Sequence, residues 1–371
     1  MKIAFVESFY GGSHKSFLDG LQKYSTHDID TFTLPARFWK WRLRTAAMYF
    51  AEQINGDLSH YDLLIATDMI NLAELKAMTG YHGPSIMFFH ENQLTYPKTN
   101  LQSPDYHFVV ANCTSALTAN VNLFNSDFQL RKFDHELRQF QNRIPEFIPV
   151  LAHDKIMKKS KVVYMGSDFA LLRANRAKAN AIPHILWNHR WAFDKQPAVF
   201  FDVLYKLAEE NVPFKLIILG ENHQVHPKEF LEAKERLSDR IVHFGYVDTE
   251  EDYAHFLNLG DIVISTAVQE NFGFAVIEAM YSKNLPLLPN RLSYPEILDQ
   301  EFHKYFLYKN DTELLNKLRH LLLNLDKYQE LKEKLYASSK KFDWKFRISE
   351  FDDMFRQIIE DERMRMAKNK K

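Results

Sequence analysis

Two carboxylates eight positions apart carry the first chemical signal of the chain. Glu270 and Glu278 lie in the run Gln269-Glu270-Asn271-Phe272-Gly273-Phe274-Ala275-Val276-Ile277-Glu278. The preceding Asp261-Ile262-Val263-Ile264-Ser265-Thr266 has the composition of a short buried strand. After Gly273 the apolar spacing predicts a helix with Val276, Ile277, Ala279 and Met280 inward. Glu270 then sits on a strand-to-helix loop, and Glu278 about two turns into the helix. The first N–H groups of a helix lack intrahelical acceptors and favour an anion. A carboxylate at the mouth, another deeper and an anion site between them suit a phosphate flanked by hydroxyl-bearing groups, which is the pattern of a nucleotide-sugar.

Eighty residues earlier stand two cations, Arg190 and Lys195, in Ile185-Leu186-Trp187-Asn188-His189-Arg190-Trp191-Ala192-Phe193-Asp194-Lys195. The apolar start of this run predicts a strand that ends near Asn188. Open α/β sheets bind ligands beyond the carboxyl ends of their strands. Cations there can neutralise a leaving diphosphate, Arg as a bidentate grip and Lys as a point charge. The opposing reading is a pair of surface cations flanking Asp194. The chain opens with the apolar strand Lys2-Ile3-Ala4-Phe5-Val6, then Gly11-Gly12-Ser13-His14 and a helical pattern at Phe17, Leu18 and Leu21. Gly11 and Gly12 permit a close backbone approach to a ligand, and Ser13 can cap the helix. The loop matches neither the dinucleotide fingerprint nor a Walker loop.

The spacing Glu-x7-Glu with Phe-Gly inside it resembles the donor site of retaining GT-B glycosyltransferases of family four. The resemblance implies that Glu270 holds sugar hydroxyls, Glu278 the ribose, and the amides of Asn271, Phe272 and Gly273 the diphosphate. It implies catalytic roles for Arg190 and Lys195, and a first loop at Gly11 and Gly12 facing the donor phosphates. Further pieces narrow it: Arg37-Phe38-Trp39-Lys40-Trp41-Arg42, Ala66-Thr67-Asp68-Met69, Phe88-Phe89-His90-Glu91-Asn92-Gln93-Leu94-Thr95-Tyr96-Pro97 and Leu123-Phe124-Asn125-Ser126-Asp127-Phe128. Over nearly the whole chain these resemble the tRNA-queuosine mannosyltransferases. That implies transfer of mannose from GDP-mannose to queuosine in tRNA-Asp, with His90 on the acceptor side of the sugar and Glu91, Asn92 and Gln93 beside it. The implied mechanism is front-face attack with retention, a phosphate oxygen taking the acceptor proton. No metal and no cofactor beyond the donor substrate is expected, and no Asp-x-Asp motif is evident.

The elements predict an α/β chain of GT-B architecture, two Rossmann-like domains facing a central cleft. The expected boundaries are 1–170 for the acceptor-side domain, 171–182 for a linker, 183–342 for the nucleotide-sugar domain, and 343–371 for a returning helix and basic tail. First-domain strands are expected at 3–8, 29–33, 62–67, 85–90, 108–111 and 162–165. Those of the second are expected at 185–188, 215–219, 241–244, 261–265 and 285–288, with helices at roughly 312–340.

The chain has 371 residues, 46% of them hydrophobic and 26% charged, ample for two cores. A single Cys113 excludes a disulfide framework and a Cys-based zinc site. A strand at the start and no apolar run near the ~18 residues of a membrane span give a cytoplasmic expectation, without membrane or protein partner.

Net charge is −1, so RNA binding rests on local clusters. Arg37 to Arg44 packs Arg37, Lys40, Arg42 and Arg44 among Phe38, Trp39 and Trp41. Cations beside aromatics pair phosphates and stack unpaired bases. The bland alternative is a helix that buries Phe38 and Trp41 in the core. Lys155, Lys158, Lys159 and Lys161 form a second cluster, and the tail from Arg363 to Lys371 a third, read as solvated helix. Three functions compete: the tRNA transferase, a GT-B transferase for a glycan or lipid, and a non-catalytic RNA-binding protein. An intact Arg190, Lys195, Glu270 and Glu278 set opposes the third.

Overall fold

In this computed structural model, residues 1–54, 57–96, 105–173, 180–220 and 227–369 are described. Pro97, positions 174–179 of the expected linker, and the tail residues Lys370 and Lys371 lie outside them. The chain begins β1 (Lys2–Tyr10), α1 (Gly12–Tyr24), β2 (Asp28–Pro35), α2 (Trp39–Gln53), β3 (Leu63–Thr67) and α3 (Leu72–Thr79). It continues with β4 (Ser85–Phe89), α4 (Tyr106–Thr118), β5 (Val121–Phe124), α5 (Asp127–Gln141), α6 (Val150–Met157) and β6 (Ser160–Val162). Next come β7 (His184–Trp187), α7 (Pro197–Glu209), β8 (Lys215–Ile218), α8 (Lys228–Arg236), β9 (Ile241–Phe244) and α9 (Glu250–Leu259). Then follow β10 (Ile262–Ile264), α10 (Phe274–Tyr281), β11 (Leu285–Pro289), α11 (Tyr294–Ile297), α12 (His303–Phe306) and β12 (Leu307–Tyr308). Helices α13 (Asp311–Leu323), α14 (Gln329–Ser339) and α15 (Trp344–Asn369) complete the order.

Two compact units result: Met1–Gly166 with Trp344–Lys371, and Ser167–Asp343. Each holds a parallel six-stranded sheet, ordered β2-β1-β3-β4-β5-β6 in the first and β12-β11-β10-β7-β8-β9 in the second. Parallel strands covered on both faces read as continuous apolar runs, as β3, β4, β10 and β11 do. The order reverses between β1 and β3 in one unit and between β7 and β10 in the other. Such switch points open a crevice at the strand ends.

Several local expectations change. Residues 108–111 form no strand but lie in α4, whose N-cap Asp105 accepts a hydrogen bond from the His107 N–H. The buried set Phe108, Val109, Ala111, Asn112, Cys113, Ser115 and Ala116 has helical spacing. The strand of that region is β5 instead, and β6 ends at Val162. Ser167 and Asp168 group with the second unit. Ser13 makes no cap, since Gly11 occupies the N-cap of α1. The 312–340 pattern divides into α13 and α14.

Helix α15 completes the first unit. Trp344 is fully buried between two glycines: a Cβ on Gly20 would lie 1.9 Å from its Nε1, and one on Gly166 would lie 2.3 Å from its Cδ2. Phe17 and Phe351 flank the indole at 5.6 and 5.4 Å. Asp352 adds a polar latch, accepting from Ser25 Oγ at 2.6 Å and from the Thr26 N–H at 2.9 Å. Trp344→Ala is expected to destabilise this unit by roughly 3–5 kcal/mol, and Gly20→Ala by about 1–3 kcal/mol through overpacking. Denaturant titration followed by circular dichroism checks both; unchanged midpoints would remove the indole from the stability of the unit.

Candidate donor and acceptor sites

In the second unit the site forms at the switch between β7 and β10. Gln196 sits in the left-handed region at φ 51°, turning the chain from Lys195 into α7. That turn buries the Lys195 ammonium. Its Nζ donates to the Gln269 carbonyl at 2.7 Å and to Glu270 Oε2 at 3.2 Å, and lies 3.4 Å from Asp194 Oδ2. Thr266 Oγ1 returns a bond to the Lys195 carbonyl at 2.7 Å, and the Val268 N–H bonds the Asp194 carbonyl at 2.8 Å. Arg291 grips the carbonyls of Thr266 and Ala267 at 3.1 and 3.0 Å. The loop after β10 is thus fixed from both sides. Arg190 stands half-exposed, 3.7 Å from Asp194 Oδ2. Lys195 is therefore an interior group, and of the two expected cations only Arg190 is at the surface.

Burial pulls the Glu270 carboxyl upward, but Lys195, His189 and the Phe272 N–H together hold it below its ordinary value. His189 is driven down to about 4, first by burial and then by the Lys195 charge. Gly273, at φ 102°, is the N-cap of α10, a conformation that favours glycine. Phe272 is buried against Phe274 and Phe342 at 5.1 and 5.7 Å, and Ser293 Oγ holds its carbonyl at 3.1 Å. The ring of Phe272 is core, so what it can offer an anion is backbone. The Gln269 amide bonds Asn271 Oδ1 at 3.2 Å.

Glu278 falls just past the first turn of α10, not two turns in. Tyr253 donates to its Oε2 at 2.9 Å and Ser167 Oγ to its Oε1 at 3.2 Å. Asn188 ties Tyr253 Oη and the Ala275 carbonyl together at 3.2 and 2.8 Å. Burial raises the Glu278 carboxyl to about 7, against the lowering effect of these two donors. Two carboxylates on one loop-helix unit thus have opposite electrostatics: Glu270 charged and paired, Glu278 close to half-protonated.

The first unit brings together the ends of β1, β3 and β4. Glu7 is fully buried and accepts from the Phe9 N–H at 2.7 Å, while its Oε2 lies 2.9 Å from His14 Nδ1. His14 stacks on His90 with ring centroids 4.0 Å apart. Phe17 and Phe88 pack on His90 at 5.2 and 4.8 Å. Asp68 Oδ1 accepts from the His90 N–H at 2.8 Å, and Asn125 Nδ2 donates to the His90 carbonyl at 3.1 Å. Burial disfavours the His14 cation, yet Glu7 above all raises it to about 9; burial and the His14 charge push His90 well below its ordinary value. Among the described residues, the donor atoms of Glu7, His14 and His90 lie within 4.8 Å of one another, so this trio could hold a cation. Gly12, at φ 51°, opens onto empty space, whereas a Cβ on Gly11 would strike Ala36.

Asn92 is buried and shapes its loop, Oδ1 accepting from the Thr95 N–H at 3.0 Å. The Gln93 N–H bonds Asn112 Oδ1 at 2.9 Å, and the Glu91 N–H reaches Asp68 Oδ1 at 3.4 Å. Of the basic stretch, Arg37 and Lys40 are exposed and Trp41 is 63% exposed. Arg42 bonds the Pro35 carbonyl at 3.3 Å. Arg44 pairs with Asp105 at 3.0 Å and lies over Phe108 at 4.5 Å. The last two cations therefore hold structure. Glu7, His14, Asp68, Asp194 and Tyr253 join these clusters without being expected there from the sequence. The signal was present at Glu7 and Asp68, acids placed directly after apolar strands.

Residues 2–167 match the family of tRNA-queuosine alpha-mannosyltransferase N-terminal domains, and residues 170–341 match glycosyl transferases group 1. A tRNA-queuosine alpha-mannosyltransferase of Drosophila melanogaster is 34% identical over 374 residues, covering 97% of this chain and 98% of that protein. The chain belongs to the tRNA-queuosine alpha-mannosyltransferase family. It is a glycosyltransferase. Solved structures agree on the fold. Sucrose-phosphate synthase of Thermosynechococcus elongatus superposes with a TM-score of 0.75 at 13% identity, over 97% of this chain and 100% of that one. Anabaena HepE in complex with UDP-glucose gives 0.66 at 16%, over 97% and 100%. The fold is GT-B. Among the described residues no helix is long and apolar enough to cross a membrane.

The raised His14 value sets a pH dependence. A base whose folded pKa is raised stabilises the fold fully below its unfolded value near 6.5 and loses that stability as pH rises through about 9. Across that window the loss is expected to be about 3 kcal/mol. Histidine ring NMR should show one imidazole titrating near 9 that Glu7→Gln returns toward the ordinary range; the lack of any imidazole titrating near 9 in the unsubstituted protein would break the assigned ion pair.

Proposed function

We propose that this chain transfers mannose from GDP-mannose to queuosine in tRNA, with retention of anomeric configuration and without a metal in the bond-breaking step. The observation that carries it is the switch-point cluster of Arg190, Lys195, Glu270 and Glu278 in a member of this family. The Drosophila relative is named for that reaction, and HepE holds a nucleotide-sugar on the same fold.

The chemistry divides among the residues by charge. Glu278, nearly half-protonated at neutral pH, suits the paired hydroxyls of a ribose. Glu270, held ionised by Lys195, suits sugar hydroxyls whose bonds strengthen as the ring distorts. Charge grows on the leaving diphosphate as the glycosidic bond lengthens. We assign Arg190 and the amides from Asn271 to Gly273 to stabilising it directly, and Lys195 to stabilising it by its buried charge beside Glu270. The acceptor hydroxyl attacks on the departing face, and a phosphate oxygen takes its proton. We assign His90, the loop at Gly11 and Gly12, and exposed Arg37, Lys40 and Trp41 to the substrates on the first unit. Mass spectrometry of digested tRNA after incubation with GDP-mannose tests the reading: added hexose on queuosine is expected. Transfer only to a glycan or lipid would replace it.

Arg190→Ala is expected to lower kcat by roughly 10²–10³, the usual cost of one transition-state donor of ~2–4 kcal/mol. Lys195→Ala should cost at least as much. It also strands Glu270, so its melting temperature must be measured beside its rate. Near-normal turnover by folded Arg190→Ala would overturn the donor-site assignment.

Glu278→Gln is expected to weaken GDP chiefly through KM and Kd, and Glu270→Gln to lower kcat with GDP affinity kept. In the unsubstituted enzyme GDP should bind more tightly as pH rises from about 6 to 8, because ribose hydroxyls favour ionised Glu278. Calorimetry across that range checks the slope, which Glu278→Gln should abolish. A loss of GDP affinity in Glu270→Gln alone would swap the two roles.

A further inference from the structure

Two exposed phenylalanines of the first unit are held in the left-handed region, where bulky side chains are outliers. Phe38 has φ 55° and is 70% exposed; Phe147 has φ 52° and is 92% exposed. Neither ring serves the core. Phe38 occupies the N-cap of α2, a position where a polar residue would give a better helix start. Phe147 lies in a tethered tip. Gln141 Nε2 bonds the Pro149 carbonyl at 2.9 Å, the Arg143 N–H bonds Phe140 at 3.0 Å, and the Val150 N–H bonds Ile148 at 2.9 Å. The loop therefore presents its ring without ordering a long segment.

Packing contacts join the two rings' elements. Trp39 packs on Phe108 at 5.1 Å, at the start of α4. The neighbouring Tyr106, itself exposed, packs on Phe140 at 5.9 Å, at the end of α5. Helices α2, α4, α5 and α6 share one apolar cluster through Phe50, Val109, Phe133 and Ile156. Exposed cations accompany the rings: Arg37 and Lys40 beside Phe38, and Arg143 beside the tip.

We propose that the surface running from Phe38 and Trp41 past Tyr106 to Phe147 docks single-stranded RNA of the acceptor, with Phe147 as a stacking platform for an unpaired base. Strained, outward aromatic rings with cations alongside match what unpaired bases and their phosphates require: a π-face and a nearby positive charge. The inference rests on the reading that the acceptor is tRNA and extends it to a loop more than one hundred residues from the basic stretch.

The test uses the full chain with unmodified and queuosine-containing tRNA. Phe147→Ala should weaken tRNA binding roughly tenfold and leave its salt slope unchanged, since no charge is removed; Phe147→Trp should restore it. Arg37→Ala with Lys40→Ala should weaken binding and flatten the slope by about 0.7 per lost phosphate contact. GDP affinity should stay constant in all three. Full tRNA affinity in Phe147→Ala, with loss in the Arg37/Lys40 variant, would overturn the stacking platform and leave the acceptor reading standing. Full affinity in both would remove the RNA surface altogether. Sedimentation velocity supplies the competing outcome: a dimer dispersed by Phe147→Ala at constant RNA affinity would make this face a self-contact and overturn the proposal.

Discussion

The Lys195 ammonium is the interaction on which the geometry at the switch between β7 and β10 depends. A buried cation is tolerable only when its donors find acceptors, and here three acceptors come from two parts of the chain: Asp194 on one side, the Gln269 carbonyl and Glu270 on the other. The loop after β7 and the loop after β10 are thereby one electrostatic unit. Glu270 is held charged by the same contact that positions it. Loop geometry and local stability are consequently not separable at this lysine, whereas Arg190, at the rim, can be altered with little effect on the fold.

The first unit solves the opposite problem. It confines two imidazoles face to face and a carboxylate beneath them. Only one ring can be an imidazolium in that space, because stacked like charges repel in a medium with little water. Glu7 decides which: His14 takes the charge and His90 is left neutral. A neutral ring can accept a hydrogen bond from a hydroxyl, which an imidazolium cannot.

Much of this was legible in the residues. Apolar runs located most strands, and Gly273 marked the turn between β10 and α10, because a parallel sheet must be apolar and a left-handed N-cap favours glycine. The failures have causes of the same kind. The run around Val109 reads as a strand, since β-branched residues suit either structure; the Asp105 cap and the length of the buried face decide for helix. Asn112 and Ser115 interrupt the apolar pattern because they serve loops: Asn112 bonds Asp68 and Gln93, and Ser115 bonds Leu72. Nothing in a linear pattern announces that Lys195 is interior, or that His14 lies on His90. Those facts depend on which strand ends meet at the switch points. Phe38 and Trp41 posed an open alternative that only exposure could resolve, and both are exposed.

Helix α15 gives the fold a schedule. Most of the unit it completes precedes the second unit in the chain, but its closing element is translated only after the whole of that second unit. At ordinary elongation rates that separates the two by roughly ten to thirty-five seconds. Until then the sheet face carrying Phe5, Ile65, Ile86 and Phe88 lacks the Phe351 and Phe355 that cover it. The nascent chain therefore leaves the ribosome with an unfinished N-terminal half and a second unit complete in sequence. The length of time that this apolar face stays uncovered is written into the chain order.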